Sequence, residues 1–173
     1  IKSVLKKLNV SPLKKTTIKF LNWFSEYNII PKGMALKLVL LSSNAVEKLP
    51  KGTHKIFETN IKKNLIKLSE EQKNSLKKMK LDSQKFRVHV LQGTTGSGKT
   101  MVYFEALKDI INKGFQGLIL LPEIGLTGEF KKKFIEFFGF TPAVWHSGIT
   151  KKNKEIIWSG VVNGEIKVVI GAR

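Results

Sequence analysis

A chain of 173 residues with 42% hydrophobic side chains has room for one ordinary domain, or for a small one and a medium one. Cysteine is absent, which excludes a disulfide framework, a thiolate zinc site and a cysteine nucleophile within these residues and suits a reducing, cytoplasmic interior. Thirty-one Lys and Arg against thirteen Asp and Glu leave a net charge of +18, a field that draws in polyphosphates and, through counterion release, nucleic acid.

The excess is uneven: residues 1 to 87 carry 20 basic and 6 acidic side chains, so the first half holds +14 of the total. Solvated lysine faces are the competing reading of that charge. The longest clean apolar run, Leu118 to Leu121, is far short of the roughly 20 residues that span a bilayer, so no membrane segment is expected. The chain starts at Ile1 without a signal-like apolar core, and the expectation is that it begins inside a longer protein.

In chain order, Ser11-Pro12 reads as an N-cap and first helical position, followed by Phe20, Trp23, Phe24 and Tyr27 at helical spacing. That aromatic stripe is expected to be core rather than a base-stacking surface. Pro31 and Gly33 break the helix, and Met34, Leu38 and Leu41 mark a second one ending near Ser42-Ser43-Asn44. Residues 1–50 thus suit a small basic helical or winged-helix module. Residues 51–67, with weak periodicity, read as a linker. Ser69-Glu70-Glu71-Gln72 is a capping box that opens a short helix.

From Arg87 the texture changes to α/β, the expected fold class for residues 68–173: a parallel sheet covered by helices on both faces. Val88, Val90 and Leu91 read as a strand, and Tyr103, Leu107, Ile110 and Ile111 as a helix stopped by Gly114. Gly117 to Pro122 reads as an apolar strand. Thr127 opens a helix with Phe130, Phe134, Phe137 and Phe138 on one face, closed by Gly139, with the run Lys131-Lys132-Lys133 on its solvated side. Pro142 to His146, Thr150 to Val162 and Ile166 to Ile170 read as strand, helix and strand.

Between the first strand and its helix lies Gly93-Thr94-Thr95-Gly96-Ser97-Gly98-Lys99-Thr100, the spacing GxxxxGK(S/T) of a phosphate loop. Glycines let the backbone curl around phosphate oxygens with its amides pointing inward at a helix N-terminus. Lys99 then reaches the β and γ phosphates, and the Thr100 hydroxyl serves the Mg²⁺ that bridges them. Hydrolysis also needs an acidic residue for the metal and a group that orients water. Glu123 follows a strand but has no acidic neighbour, so it reads as capping or orienting a loop. Asn153-Lys154-Glu155-Ile156 lacks the aspartate of a guanine clamp, and with only Arg87 and Arg173 the chain lacks the arginine pair of a kinase lid.

The segments LQGTTGSGKTMVYFEAL, LLPEIGLT, WHSG and KVVIGAR, in this order, resemble the primosomal protein N′ (PriA) family of replication-restart, superfamily 2 DNA helicases, from about Leu68 to Arg173. A weaker likeness over Leu13 to Leu41 matches that family's winged-helix module. The resemblance implies the first part of a RecA-like helicase lobe, with ATP and Mg²⁺ held by Gly93, Gly96, Gly98, Lys99 and Thr100. It also makes Gln72 an adenine reader, beside its reading as the capping partner of Ser69. Pro122, Glu123, Gly125 and Thr127, then His146, Ser147 and Gly148, then Gly171 and Arg173, match the family's loops that contact single-stranded DNA. His146 is read as closing a strand and touching backbone or DNA, and Trp145 as core.

The resemblance further implies ATP-driven 3′ to 5′ unwinding at stalled forks, with forked and single-stranded DNA, primosome proteins and single-strand-binding protein as partners. Family members continue into an acidic DExH motif, a second lobe and a cysteine-rich zinc module. The chain has no residues that match these, and no zinc ligands of that kind. A truncated product that binds DNA and nucleotide without catalysis is therefore the rival expectation.

Overall fold

The computed structural model describes residues 12–40, 67–79, 86–122 and 127–172. In chain order the elements are α1 (Lys15–Tyr27), α2 (Lys32–Leu40), α3 (Glu70–Lys78), α4 (Lys99–Asn112), β1 (Gly117–Leu121), α5 (Thr127–Phe138), β2 (Ala143–Trp145), α6 (Lys151–Val162) and β3 (Val168–Ala172). The chain divides into two compact units, one from positions 1–53 and 150–163, the other from 54–149 and 164–173. No helix among the described residues is long and apolar enough to cross a membrane. The expected cap at Ser11, the end of the second helix beyond Leu40, and linker positions 51–66 lie outside the described residues.

In the first unit α1 buries Leu21 and Ser25, one turn apart, and α2 buries Ala35. Most of the aromatic stripe is not core: Phe20, Trp23 and Tyr27 are 51%, 54% and 74% exposed, and only Phe24 is half-buried. Helical spacing put the rings on one face, but the face next to it took the contact. The rings instead cover each other along the helix, Phe20 on Trp23 at 5.8 Å and Trp23 on Tyr27 at 5.3 Å. Asn28 Nδ2 donates to Phe24 O at 2.9 Å, the Ser25 hydroxyl donates to Ile30 O, and Ile29 turns the chain with a φ of 53°. Gly33, expected as a breaker, lies inside α2, which starts directly after Pro31. Thr150 caps α6 by accepting from Asn153 N, and Trp158 Nε1 donates to Val39 O at 2.7 Å. That bond ties α6 to the end of α2, whereas the sequence division placed α6 with residues 68–173.

The second unit holds a parallel sheet of order β1-β3-β2. Gln116 Nε2 donates to Ile166 O at 2.7 Å and Gly117 N to Lys167 O at 2.8 Å, so the leads into β1 and β3 are joined before the ladder begins. The core beneath it is largely phenylalanine, with Phe104 of α4 fully buried among Phe134, Phe137 and Phe138 of α5, and Val168 and Ile170 rising from β3. The expected phenylalanine face of α5 is therefore the buried one, while Lys132 and Lys133 are exposed on the other side. Gly114 and Gly139 follow α4 and α5 as expected stops.

Two expectations fail here. Val88 to Leu91 is not a strand: among the described residues no strand pairs with it, and Val88 and Val90 are exposed. A strand exists only through a partner that takes up its backbone N–H and C=O groups. Among the described residues β1 is covered on one face only, with Leu118 and Leu120 67% and 74% exposed while Ile119 and Leu121 pack on the core.

Candidate functional site

The phosphate loop approaches α4 as an exposed turn in which Ser97 N donates to Thr94 O at 3.3 Å. Gly96 and Gly98 have φ of 81° and 77°, left-handed conformations that a side chain resists. Gly98 is the N-cap of α4 and offers no side-chain acceptor, so the first amides of the helix remain for an external partner. A Cβ at Gly93 would come within 2.7 Å of Ser97 Oγ, so a side chain there would have to turn the Ser97 hydroxyl aside. Gly93, Thr94, Thr95, Gly96, Ser97 and Gly98 thus form one curled, solvent-facing strip that ends in Lys99 and Thr100.

The Lys99 ammonium folds back over the loop and donates to Gly93 O and Thr94 O, both at 2.7 Å. Tyr103 OH lies 3.2 Å from Thr100 Oγ1, one helical turn on, and its ring stacks at 6.3 Å on Phe130 in the first turn of α5. When Tyr103 donates, Thr100 keeps a lone pair for a cation. Tyr103 entered the sequence reading only as part of a helical stripe. Its spacing of three from Thr100 was the signal of this second role.

Gln72 sits in α3 as the capping box requires: Gln72 N donates to Ser69 Oγ at 3.2 Å and Ser69 N donates to Gln72 Oε1 at 2.9 Å. The same carboxamide reaches the phosphate loop, with Nε2 donating to Gly98 O at 3.4 Å.

The remaining motif residues gather through the parallel register, which aligns Leu120, Gly171 and Trp145 across the sheet. Pro122 after β1, His146, Ser147 and Gly148 after β2, and the end of β3 therefore share the carboxyl edge, where open α/β sheets bind ligands. Pro122, Ser147 and Gly148 are exposed. His146 is half-buried and its Nδ1 accepts from Gly148 N at 3.1 Å, which fixes the turn. Trp145 is half-buried rather than fully core. Gly171 is buried within β3, where a Cβ would press on Leu120 at 3.0 Å. Thr127 is described only as the start of α5; Glu123, Gly125 and Arg173 lie outside the described residues. Among the described residues no three His, Cys, Asp or Glu side chains cluster as metal ligands.

The chain is 38% identical over 168 residues to the replication restart protein PriA of Rickettsia prowazekii, covering 96% of this chain and 24% of that protein. It is 37% identical over 158 residues to the PriA of Rickettsia conorii, covering 90% and 23%, and 36% identical over 108 residues to that of Bacillus subtilis, covering 61% and 13%. The chain thus spans about a quarter of the length of the first two relatives or less. A family model described as "Type III restriction enzyme, res subunit" matches residues 65–172, and the α/β architecture with a phosphate loop is the fold it implies. Because that match takes in the phosphate loop, the whole parallel sheet and well over half of the chain, the chain belongs to this family.

Proposed function

We propose that this chain is the nucleotide- and DNA-binding portion of an ATP-dependent 3′ to 5′ DNA helicase of the replication-restart type, acting at stalled forks. The observation that carries the reading is the phosphate loop at the N-terminus of α4, with Lys99 poised over it and the family's strand-end motifs collected at one sheet edge. The cradle fits ATP and Mg²⁺: loop amides and Lys99 hold the phosphates, and Thr100, steadied by Tyr103, offers the metal its hydroxyl. When bound, the nucleotide supplies the phosphoanhydride bond whose hydrolysis powers unwinding.

Residues 1–50 act as a winged-helix-like basic module and 68–173 as the first part of a RecA-like lobe, joined through 51–67. Pro122, Glu123, Gly125, Thr127, His146, Ser147, Gly148, Gly171 and Arg173 track the phosphates and sugars of single-stranded or forked DNA, a mode that suits a motor indifferent to sequence. Primosome proteins and single-strand-binding protein are its partners in a bacterial cytoplasm. The rival reading is a protein that binds DNA and nucleotide but turns nothing over.

ATP turnover measured with and without forked DNA, on this chain and on a longer version, separates the two. In the same assays Lys99→Ala is expected to remove Mg²⁺-ATP binding while leaving DNA affinity within about twofold, because surface charge elsewhere supplies the latter. Equal loss of both affinities would contradict the division of labour.

A further inference from the structure

We propose that Tyr103 is a positioning residue for the metal side of the nucleotide site, and that its ring contact with Phe130 makes that side depend on α5. The proposal deepens the reading of residues 93–100 as a triphosphate-Mg²⁺ site and rests on it. Thr100 stands in the first turn of α4. A threonine in a helix divides between two rotamers, because its hydroxyl can also bond back to a carbonyl of the preceding turn, and exchange between them moves the hydroxyl away. Tyr103 lies one turn on, on the same helix face, with its OH 3.2 Å from Thr100 Oγ1. Each hydroxyl has one proton and two lone pairs, so in either direction of this bond Thr100 keeps a lone pair for a cation. When Thr100 serves a cation its proton becomes the better donor, and the Tyr103 oxygen is within reach to accept it.

Tyr103 is not held by α4 alone. Its half-buried ring stacks on Phe130 at 6.3 Å with 15° between the planes, and meets Phe104 edge-on at 5.4 Å. Phe130 in turn meets the fully buried Phe104 edge-on at 5.4 Å. The three rings form a closed set, so Tyr103 cannot swing without disturbing Phe130. That residue lies in the first turn of α5, three positions after Thr127, where the segment LLPEIGLT ends. The hydroxyl offered to the metal is therefore set by the helix that opens from a strand-end motif. A shift of α5 frees the Thr100 rotamer and weakens metal binding without touching a phosphate.

The test measures the affinity of the full chain for ATP with Mg²⁺ and for ATP in EDTA, in four forms: unaltered, Tyr103→Phe, Phe130→Leu and the double variant. Tyr103→Phe keeps the ring and removes the hydroxyl, whereas Phe130→Leu keeps the hydroxyl and removes its support. Tyr103→Phe is expected to weaken Mg²⁺-ATP about fivefold, the worth of one hydrogen bond, and to leave ATP in EDTA within about twofold. Phe130→Leu is expected to weaken Mg²⁺-ATP alone by about threefold, and the double variant to lose no more than Tyr103→Phe, since both act through one hydroxyl. Losses of equal size with and without metal, an unchanged Phe130→Leu, or additive losses in the double variant overturn the proposal. If the unaltered chain binds ATP in neither condition, the triphosphate reading fails instead. Positioning is then decided without ligand by the three-bond couplings of the Thr100 methyl group: rotamer averaging in both single variants supports it, and one fixed rotamer in every form overturns it.

Discussion

Ile29 shows how a single position can work against its surroundings. Its φ of 53° places a β-branched side chain in the left-handed region, and the side chain is almost wholly exposed, so no packing offsets the strain. The turn needs that conformation because Ile30 N bonds back to Ser25 O at 3.0 Å and closes α1. Ile29→Gly is expected to stabilise this unit by about 1 kcal/mol, relief of the left-handed strain exceeding the added chain entropy. Thermal unfolding followed by fluorescence of Trp23 and Trp158 checks it, and an unchanged or lowered midpoint counts against the argument. Gly98 is the opposite case, with glycine at a left-handed position where Gln72 also leaves no room for a Cβ.

Among the elements, α5 and the sheet carry the stability of the second unit. Phe104 meets Phe134 edge-on at 5.7 Å and Phe138 at 5.3 Å, and Phe134 stacks on Phe138 at 4.3 Å. Phe104→Ala is expected to cost about 3–5 kcal/mol, since four helix-borne rings cannot collapse into the gap together. Urea unfolding read from Trp145, with Trp23 and Trp158 replaced by Phe, tests that range. The phenylalanine face of α5 was legible in the sequence because Phe130, Phe134, Phe137 and Phe138 alternate with lysines at the helical period. The capping box at Ser69 was legible because its geometry is local. Two other features were not. The periodicity of Phe20, Trp23 and Tyr27 names a shared face but not whether anything packs on it, and the β-branched residues at Val88 and Val90 cannot make a strand without a pairing partner. The Gln72 bond to Gly98 was hidden for the same reason, as it spans 26 positions.

For the whole molecule the governing quantity is charge. With +18 overall and +14 in residues 1 to 87, association with DNA is expected to be dominated by counterion release. The slope of log affinity against log salt for single-stranded DNA should be about −4 or steeper, equivalent to roughly six phosphates at −0.7 each. A flat dependence, measured by fluorescence anisotropy between low and physiological salt, would assign the lysines to solvation alone. The phosphate loop was the most legible part of the molecule, because its glycines, lysine and threonine act within eight consecutive residues. The carboxyl edge of the sheet was legible only as separate motifs, and the parallel register is what brings them together.

The Lys99 ammonium resting on Gly93 O and Thr94 O has a thermodynamic consequence for that loop. Those two carbonyls accept from the side chain at the far end of the same loop, so the lysine closes the curl on itself. A phosphate bound by this lysine would compete with two peptide carbonyls for one ammonium. Affinity at this site therefore measures how much better phosphate oxygens satisfy one lysine than two peptide carbonyls do.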